Sequence, residues 1–240
     1  MRGETWWLVG ASEGLGRALA QAMAAEGAVL ILSARGTDRL QVLAEDLGAR
    51  ALPMDVTDPA SVAGAAAQAG PVDGLIYLAA AYWPMRAQDW DTARVETMID
   101  VNLTGAARVL GAVLPGMLAR DAGRVVLTGS LAGFRGLPGS IGYGASKAGL
   151  MNLGQSLQAD LAATGVSVQL VNPGFIRTRL TAQNGFAMPF LMEPDGAAAQ
   201  VMHAIRRRRP SSSFPMVFSW LFRAGRLLPT GLWNRLFARG

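Results

Sequence analysis

Short apolar runs alternate with stretches of helical spacing along most of this chain, and a glycine or polar turn separates them. Thr5–Val9 is apolar and closes on Gly10; an Ala-rich helix-period stretch follows to about Glu26. Val29–Ser33 reads as a second strand, 38–47 as a helix, and 51–54 as a weak third strand. Asp58 and Pro59 then supply an N-cap and a first helical residue, opening a helix to about Ala69. A fourth strand is expected at 75–79. Residues 91–120 form one or two helices, interrupted near 102–105. Strands at 125–128 and 166–171 flank a helix at 143–163, and a further helix covers 194–209. Gly27, Gly48, Gly123 and Gly165 stand where these helices end, the position that favours a left-handed cap. The alternation predicts βαβ units and a doubly wound parallel sheet of Rossmann type, flanked by helices. No linker interrupts it before about residue 209. Residues 1–209 are therefore expected as one domain and 210–240 as an extension with a short strand at 214–217 and amphipathic helices.

Composition narrows the chemistry. At 240 residues the chain can bury a sizeable core. It has no Cys and one His, His203, which excludes thiolate nucleophiles, thiolate metal sites and multi-histidine sites; no metal is expected. The formal charge is +5, carried by Arg, and the isoelectric point is near 10.6. A phosphorylated cofactor, an anionic membrane surface or nucleic acid could use that charge. Nucleic acid has only the run Arg206–Arg207–Arg208–Arg209 behind it, with no stacking platform, and is not expected as a partner. The first residues lack the charged start, apolar run and cleavage site of a signal peptide, and no run of about eighteen apolar residues marks a span. A cytoplasmic location is expected.

The turn Gly10-Ala11-Ser12-Glu13-Gly14-Leu15-Gly16 fits two motifs. As GxxxGxG between strand and helix it brings free N–H groups and a positive helix end to a pyrophosphate. As GxSxG it matches the nucleophile elbow of a serine hydrolase, with Ser12 as nucleophile. That reading needs His203 as base, and His203 lies in a helical stretch far downstream. The end of the second strand bears on the cofactor. Ala34 stands where an acid would bind a ribose 2′-hydroxyl, and Arg35, which could take a 2′-phosphate, follows it. NADP(H) is expected over NAD(H).

Lys147 is the only lysine in the sequence, and Tyr143 precedes it by one helical turn. An ammonium there would lower the phenol pKa and make Tyr143 a usable acid or base. Alone, the pair fits a surface Tyr and a solvated Lys as well. With GxxxGxG at Gly10, Asn102 in an interrupted helix and Ser130 after the fifth strand, it resembles the short-chain dehydrogenase/reductase family over residues 5–209. The resemblance implies Tyr143 as general acid/base and Lys147 as its tuner and ribose ligand. It implies Ser130 on the substrate carbonyl, and Asn102 holding the helix break and a water that links Lys147 to solvent. It implies Gly10, Ser12, Gly14, Leu15 and Gly16 at the phosphates, with Asp55 and Val56 at the adenine. It places Pro173, Gly174, Ile176 and Thr178 at the nicotinamide. Such proteins often pair the helices equivalent to 102–120 and 147–163, which implies a homodimer or homotetramer. One departure stands out: the usual Asn-Asn-Ala-Gly after the fourth strand is Tyr77-Leu78-Ala79-Ala80 here.

Large apolar residues at Tyr82, Trp83, Phe134, Leu137, Phe175 and 186–192 suggest a lipophilic carbonyl or secondary alcohol as substrate, or else simply pack their loops. In the extension, Val217, Trp220, Leu221, Ala224, Leu227 and Leu228 recur at helical spacing with Arg223 and Arg226 between. After Pro229 come Leu232, Trp233, Leu236 and Phe237 with Arg235 and Arg239. Such a pair can lie peripherally on a membrane, cover the sheet or meet a subunit. A non-catalytic NADP-binding protein that docks through this tail is a third reading beside reductase and hydrolase.

Overall fold

The computed structural model describes residues 1–237; Arg239 lies outside them, as does the side chain of Phe237. Seven parallel strands form one sheet in the order β3-β2-β1-β4-β5-β6-β7. They are β1 (Thr5–Val9), β2 (Val29–Ser33), β3 (Arg50–Ala51), β4 (Gly74–Tyr77), β5 (Gly123–Thr128), β6 (Val166–Pro173) and β7 (Ser211–Phe214). Pairing runs Trp6↔Leu30 on one side of β1 and Trp6↔Gly74 on the other. The connections reverse direction at β1, and the cleft opens at the carboxyl ends of the strands beside that point, as such sheets dictate.

Strand side chains alternate between two cores. Trp7, Val9, Leu75, Tyr77, Val125 and Leu127 face the layer that holds α3 (Pro59–Ala69), α4 (Thr92–Ile99), α5 (Gly105–Ala119) and α6 (Ile141–Asp160). Trp6, Leu8, Leu30, Leu32, Ile76 and Val126 face α1 (Gly14–Ala25), α2 (Thr37–Leu47) and α7 (Pro194–Arg206). Because both faces are covered, the strands read as unbroken apolar runs rather than alternating ones. Each such buried side chain contributes roughly 1.5–3 kcal/mol over an exposed one.

Several boundaries moved. β3 is shorter than 51–54 because Pro53 has no N–H, although the Leu52 and Met54 amides still reach the Leu32 and Ala34 carbonyls. β7 lies earlier than 214–217, since Pro215 caps and Met216 opens α8 (Met216–Gly225). The seventh strand thus comes from the C-terminal extension and completes the sheet. The interruption of the long helix is real: residues Asp100–Thr104 form a π-helical turn between α4 and α5. By length and composition Thr92–Ala119 would suffice to span a bilayer, unlike the expectation. It packs instead against α6 and α3, and charged residues interrupt it at Arg94, Glu96, Asp100 and Arg108.

The last helices, α8 and α9 (Thr230–Phe237), form their own small core over the loop after β5. Phe218, Phe222 and Trp233 close on Leu131, with Phe134, Leu137 and Phe175 beside them. Trp233 donates its indole N–H to the Gly136 carbonyl at 2.8 Å and is 2 % exposed. The Arg135 guanidinium donates to the Gly225 and Leu228 carbonyls and lies over the Trp233 ring. Gly225 has no side chain for a steric reason: a Cβ there would overlap that indole.

Candidate active site

The cleft has a volume of about 950 Å³ and runs from the glycine turn to the N-terminal end of α6. At one end the turn after β1 bends through Gly10, whose φ of +96° suits only glycine. A Cβ at Gly10 would come within 2.5 Å of the Ala79 amide nitrogen, so the turn and the end of β4 are packed backbone to backbone. Glu13 precedes α1 but does not cap it. Its carboxylate instead bridges Arg39 at 3.1 Å and Arg179 at 2.7 Å. The Arg179 hydrogen bond outweighs burial and holds the Glu13 carboxyl below the usual range. The N-terminus of α1 is left facing the cleft, with Gly10, Ser12, Gly14, Leu15 and Gly16 on its wall.

Arg35, Arg39 and Val56 line the adjoining end. Asp55 is not on the wall. Its carboxylate accepts from the Thr57 amide at 2.9 Å and hydroxyl at 2.8 Å, which with Arg35 outweighs burial and lowers its pKa. Pro173, Gly174, Ile176 and Thr178 line the far wall. A glycine turn before an uncapped helix, two arginines beside it and an elongated cleft fit an extended, phosphate-bearing dinucleotide.

The polar centre comes from β5 and α6. Ser130 follows β5, caps a short 3-10 turn and accepts from the Ala132 amide at 3.2 Å. It lines the cleft together with Tyr143 and acts to lower the phenol's pKa. One turn along α6, Lys147 is 1 % exposed and donates from Nζ to the Thr128 carbonyl at 2.8 Å. Nζ lies 5.8 Å from the Tyr143 ring centroid. Burial pulls the Lys147 pKa down to about 8. It also pushes the Tyr143 phenol above its ordinary value, with Ser130 acting the other way. Desolvation therefore dominates the Tyr143 phenol and keeps it neutral, as a proton donor, in place of the expected lowering by Lys147.

Asn102 is buried in the π-turn, off the wall. It accepts from the Ala81 amide at 2.7 Å and donates to the Ala81 carbonyl at 3.0 Å and the Ser146 hydroxyl at 2.9 Å. It therefore ties the π-turn to the segment after β4 and to α6, beside Lys147. The departure at Tyr77 gains a reason here. Its hydroxyl donates to the Val101 carbonyl at 2.6 Å, so Tyr77 ties β4 to the π-turn. Burial raises its pKa well beyond the phenol range. Gly105 leaves room for that hydroxyl, which would stand 2.7 Å from a Cβ.

The apolar side is partly as expected. Tyr82, Leu137, Phe175 and Phe186 line the cleft. The Tyr82 ring meets Tyr143 edge-on at 4.9 Å, and its hydroxyl donates to Asn184 at 2.6 Å. Sequence reasoning missed that Phe218, Leu221 and Phe222 of α8 complete this wall. It also missed Arg39, one turn into α2 from Arg35, and the Glu13–Arg179 bridge, which no local spacing reveals. His203 stands exposed on α7 and is not on the cleft wall, so Ser12 has no histidine base there.

Comparison with known proteins agrees with this layout. A family model described as short chain dehydrogenase matches residues 4–187. A protein named uncharacterized oxidoreductase from Myxococcus xanthus is 38% identical over 236 residues, covering 95% of this chain and 93% of that one. The 3-oxoacyl-acyl-carrier-protein reductase FabG of Escherichia coli is 35% identical over 185 residues, covering 72% of this chain and 74% of its own. Among solved structures, a short-chain dehydrogenase from Sphingobium yanoikuyae in complex with NADPH superposes with a TM-score of 0.84 at 30% identity. That match covers 95% of this chain and 94% of the other.

Proposed function

This chain belongs to the short-chain dehydrogenase family and is an oxidoreductase; we propose that it interconverts an apolar ketone and its secondary alcohol with NADP(H). One observation carries this reading: Ser130, Tyr143 and Lys147 meet at the centre of a cleft with a phosphate-type turn at one end and an aromatic wall at the other. When bound, the nicotinamide supplies or accepts the hydride. Everything else falls to side chains of this protein. Ser130 and Tyr143 hydrogen-bond the substrate oxygen and orient it. In reduction, Tyr143 gives its proton to the developing alkoxide, a task suited to a phenol kept neutral by burial. Lys147, held by the Thr128 carbonyl, has donors left for the ribose and places positive charge beside Tyr143. Asn102 is a positioning residue that fixes the π-turn against α6.

For the cofactor, Gly10, Ser12, Gly14, Leu15 and Gly16 would hold the phosphates, and Val56 would flank the adenine, with Asp55, held by Thr57 behind the wall, fixing that segment. Pro173, Gly174, Ile176 and Thr178 would border the nicotinamide. Arg35 would meet a 2′-phosphate, with Arg39 beside it. The NADPH bound to the Sphingobium enzyme supports this choice. The FabG relative's name and the aromatic wall favour a 3-oxoacyl chain or another lipophilic ketone. A homodimer or homotetramer through α5 and α6 is part of the proposal.

The test is NADPH against NADH binding by fluorescence, then a carbonyl panel read as loss of NADPH absorbance. Arg35→Ala should weaken NADPH by about 10–100-fold, the worth of charge-assisted hydrogen bonds, and leave NADH unchanged. Equal loss for both cofactors would overturn the 2′-phosphate role. An enzyme that consumes no NADPH with any ketone would overturn the reaction.

A further inference from the structure

The apolar wall of the cleft does not stop at the cleft. Phe186 and Leu221 line it and are also about half exposed. Phe190, equally exposed, stacks on Phe218 at 5.5 Å, so the loop before α7 and the start of α8 share one surface. From there the exposed face of α8 continues through Met216 and Val217, each 70 % exposed, and Trp220 at 63 %, and Leu227, just past its end, is 88 % exposed. These are side chains whose burial would stabilise a fold, yet among the described residues nothing covers them. Arg223 lies on the same helix and Arg226 caps its end, and no Asp or Glu follows Asp195. The extension from residue 210 therefore carries four arginines and no balancing acid.

That charge pattern discriminates between occupants. A second copy seated on this face by two-fold symmetry would bring the same arginines against each other, with no carboxylate from the extension to pair them. An anionic lipid surface would meet both features. Exposed Trp and aliphatic side chains enter the headgroup region, and each nearby Arg adds attraction to acidic headgroups.

We propose that α8, with the 186–190 loop, docks on an anionic bilayer surface so that the cleft mouth opens into the lipid. An apolar substrate then reaches Ser130 and Tyr143 along Leu221 and Phe218 without crossing water. This delivery route rests on the ketone–alcohol reading above; the docking itself does not.

The experiment is co-sedimentation of the full chain with vesicles of phosphatidylcholine alone and of phosphatidylcholine mixed with phosphatidylglycerol. The protein should partition at least about tenfold more strongly onto the mixed vesicles. Val217→Glu/Trp220→Glu should reduce that partitioning by about tenfold or more while NADPH fluorescence and melting temperature hold, since neither residue lines the cleft. Met216→Glu/Leu227→Glu is the second variant, should the first fail to fold. Wild-type protein that ignores both vesicles overturns the proposal. So does a folded variant that partitions like the wild type. A wild type that stays in solution, with a subunit count by light scattering that drops in the variant, assigns the face to a second copy instead. Sedimentation does not depend on turnover, so failure of the reductase reading would show only as unchanged NADPH.

Discussion

On one side of the cleft, Lys147 donates to a β5 carbonyl from inside α6, and Asn102 is held by three hydrogen bonds in a π-turn. On the other side, Phe186 and Phe190 sit on a loop, and Phe218 and Leu221 on a helix beyond the last strand, joined by ring contacts of 5 to 6 Å. The polar wall is fixed by directional bonds to regular backbone, because a proton donor misplaced by an ångström loses most of its effect. The apolar wall needs only shape and dryness. Its side chains can shift and repack at little cost, which suits selection of a ligand by bulk.

Tyr143→Phe tests the polar wall hardest. It removes the proton donor and should lower turnover by about 10²–10⁴-fold with NADPH affinity unchanged. Retained turnover would move the acid elsewhere. Trp233→Ala tests the apolar wall next. Truncating so buried an indole costs about 3–5 kcal/mol and should loosen α9 and then α8. KM for bulky ketones should rise by about tenfold while kcat for a small ketone holds. If kcat falls equally for both, the extension belongs with the polar wall and the division drawn above fails.

The third test is pH. Burial lowers the Lys147 pKa to about 8, so its charge is lost as pH rises through that value rather than near the usual lysine range. Free-enzyme kcat/KM for reduction should therefore fall above about pH 8, approaching tenfold per further unit. Lys147→Arg, which does not titrate, should remove that limb and lower the plateau. The smallest effect is expected from Tyr77→Phe. Loss of its bond to the Val101 carbonyl should cost about 1 kcal/mol in urea unfolding. A loss of turnover beyond that stability change would show that the tie holds Asn102 in place.

The same contrast explains what could be read from the chain. Residues that answer to backbone geometry keep fixed spacings, so Gly10 to Gly16, Ser130, Tyr143 and Lys147 were legible. The sheet was legible too, because strands covered on both faces are unbroken apolar runs. Arg39, Tyr77 and Phe218 were not, since their roles depend on partners tens of residues away. The π-turn showed only as a break in helical pattern, and β7 was displaced because Pro215, inside the apolar run, ends the strand.

The scarcity of lysine has a practical side. Amine-directed acylating reagents meet two groups in this protein, the N-terminal amine and Lys147. The N-terminal amine lies 3.9 Å from Glu4; Lys147 lines the cleft at 1 % exposure, and burial lowers its pKa to about 8. Mass spectrometry of acylated peptides therefore provides an occupancy meter at a single side chain. The rate at which Lys147 is modified, slowed further by a bound ligand, reports how full the cleft is, with no chromophore or turnover required.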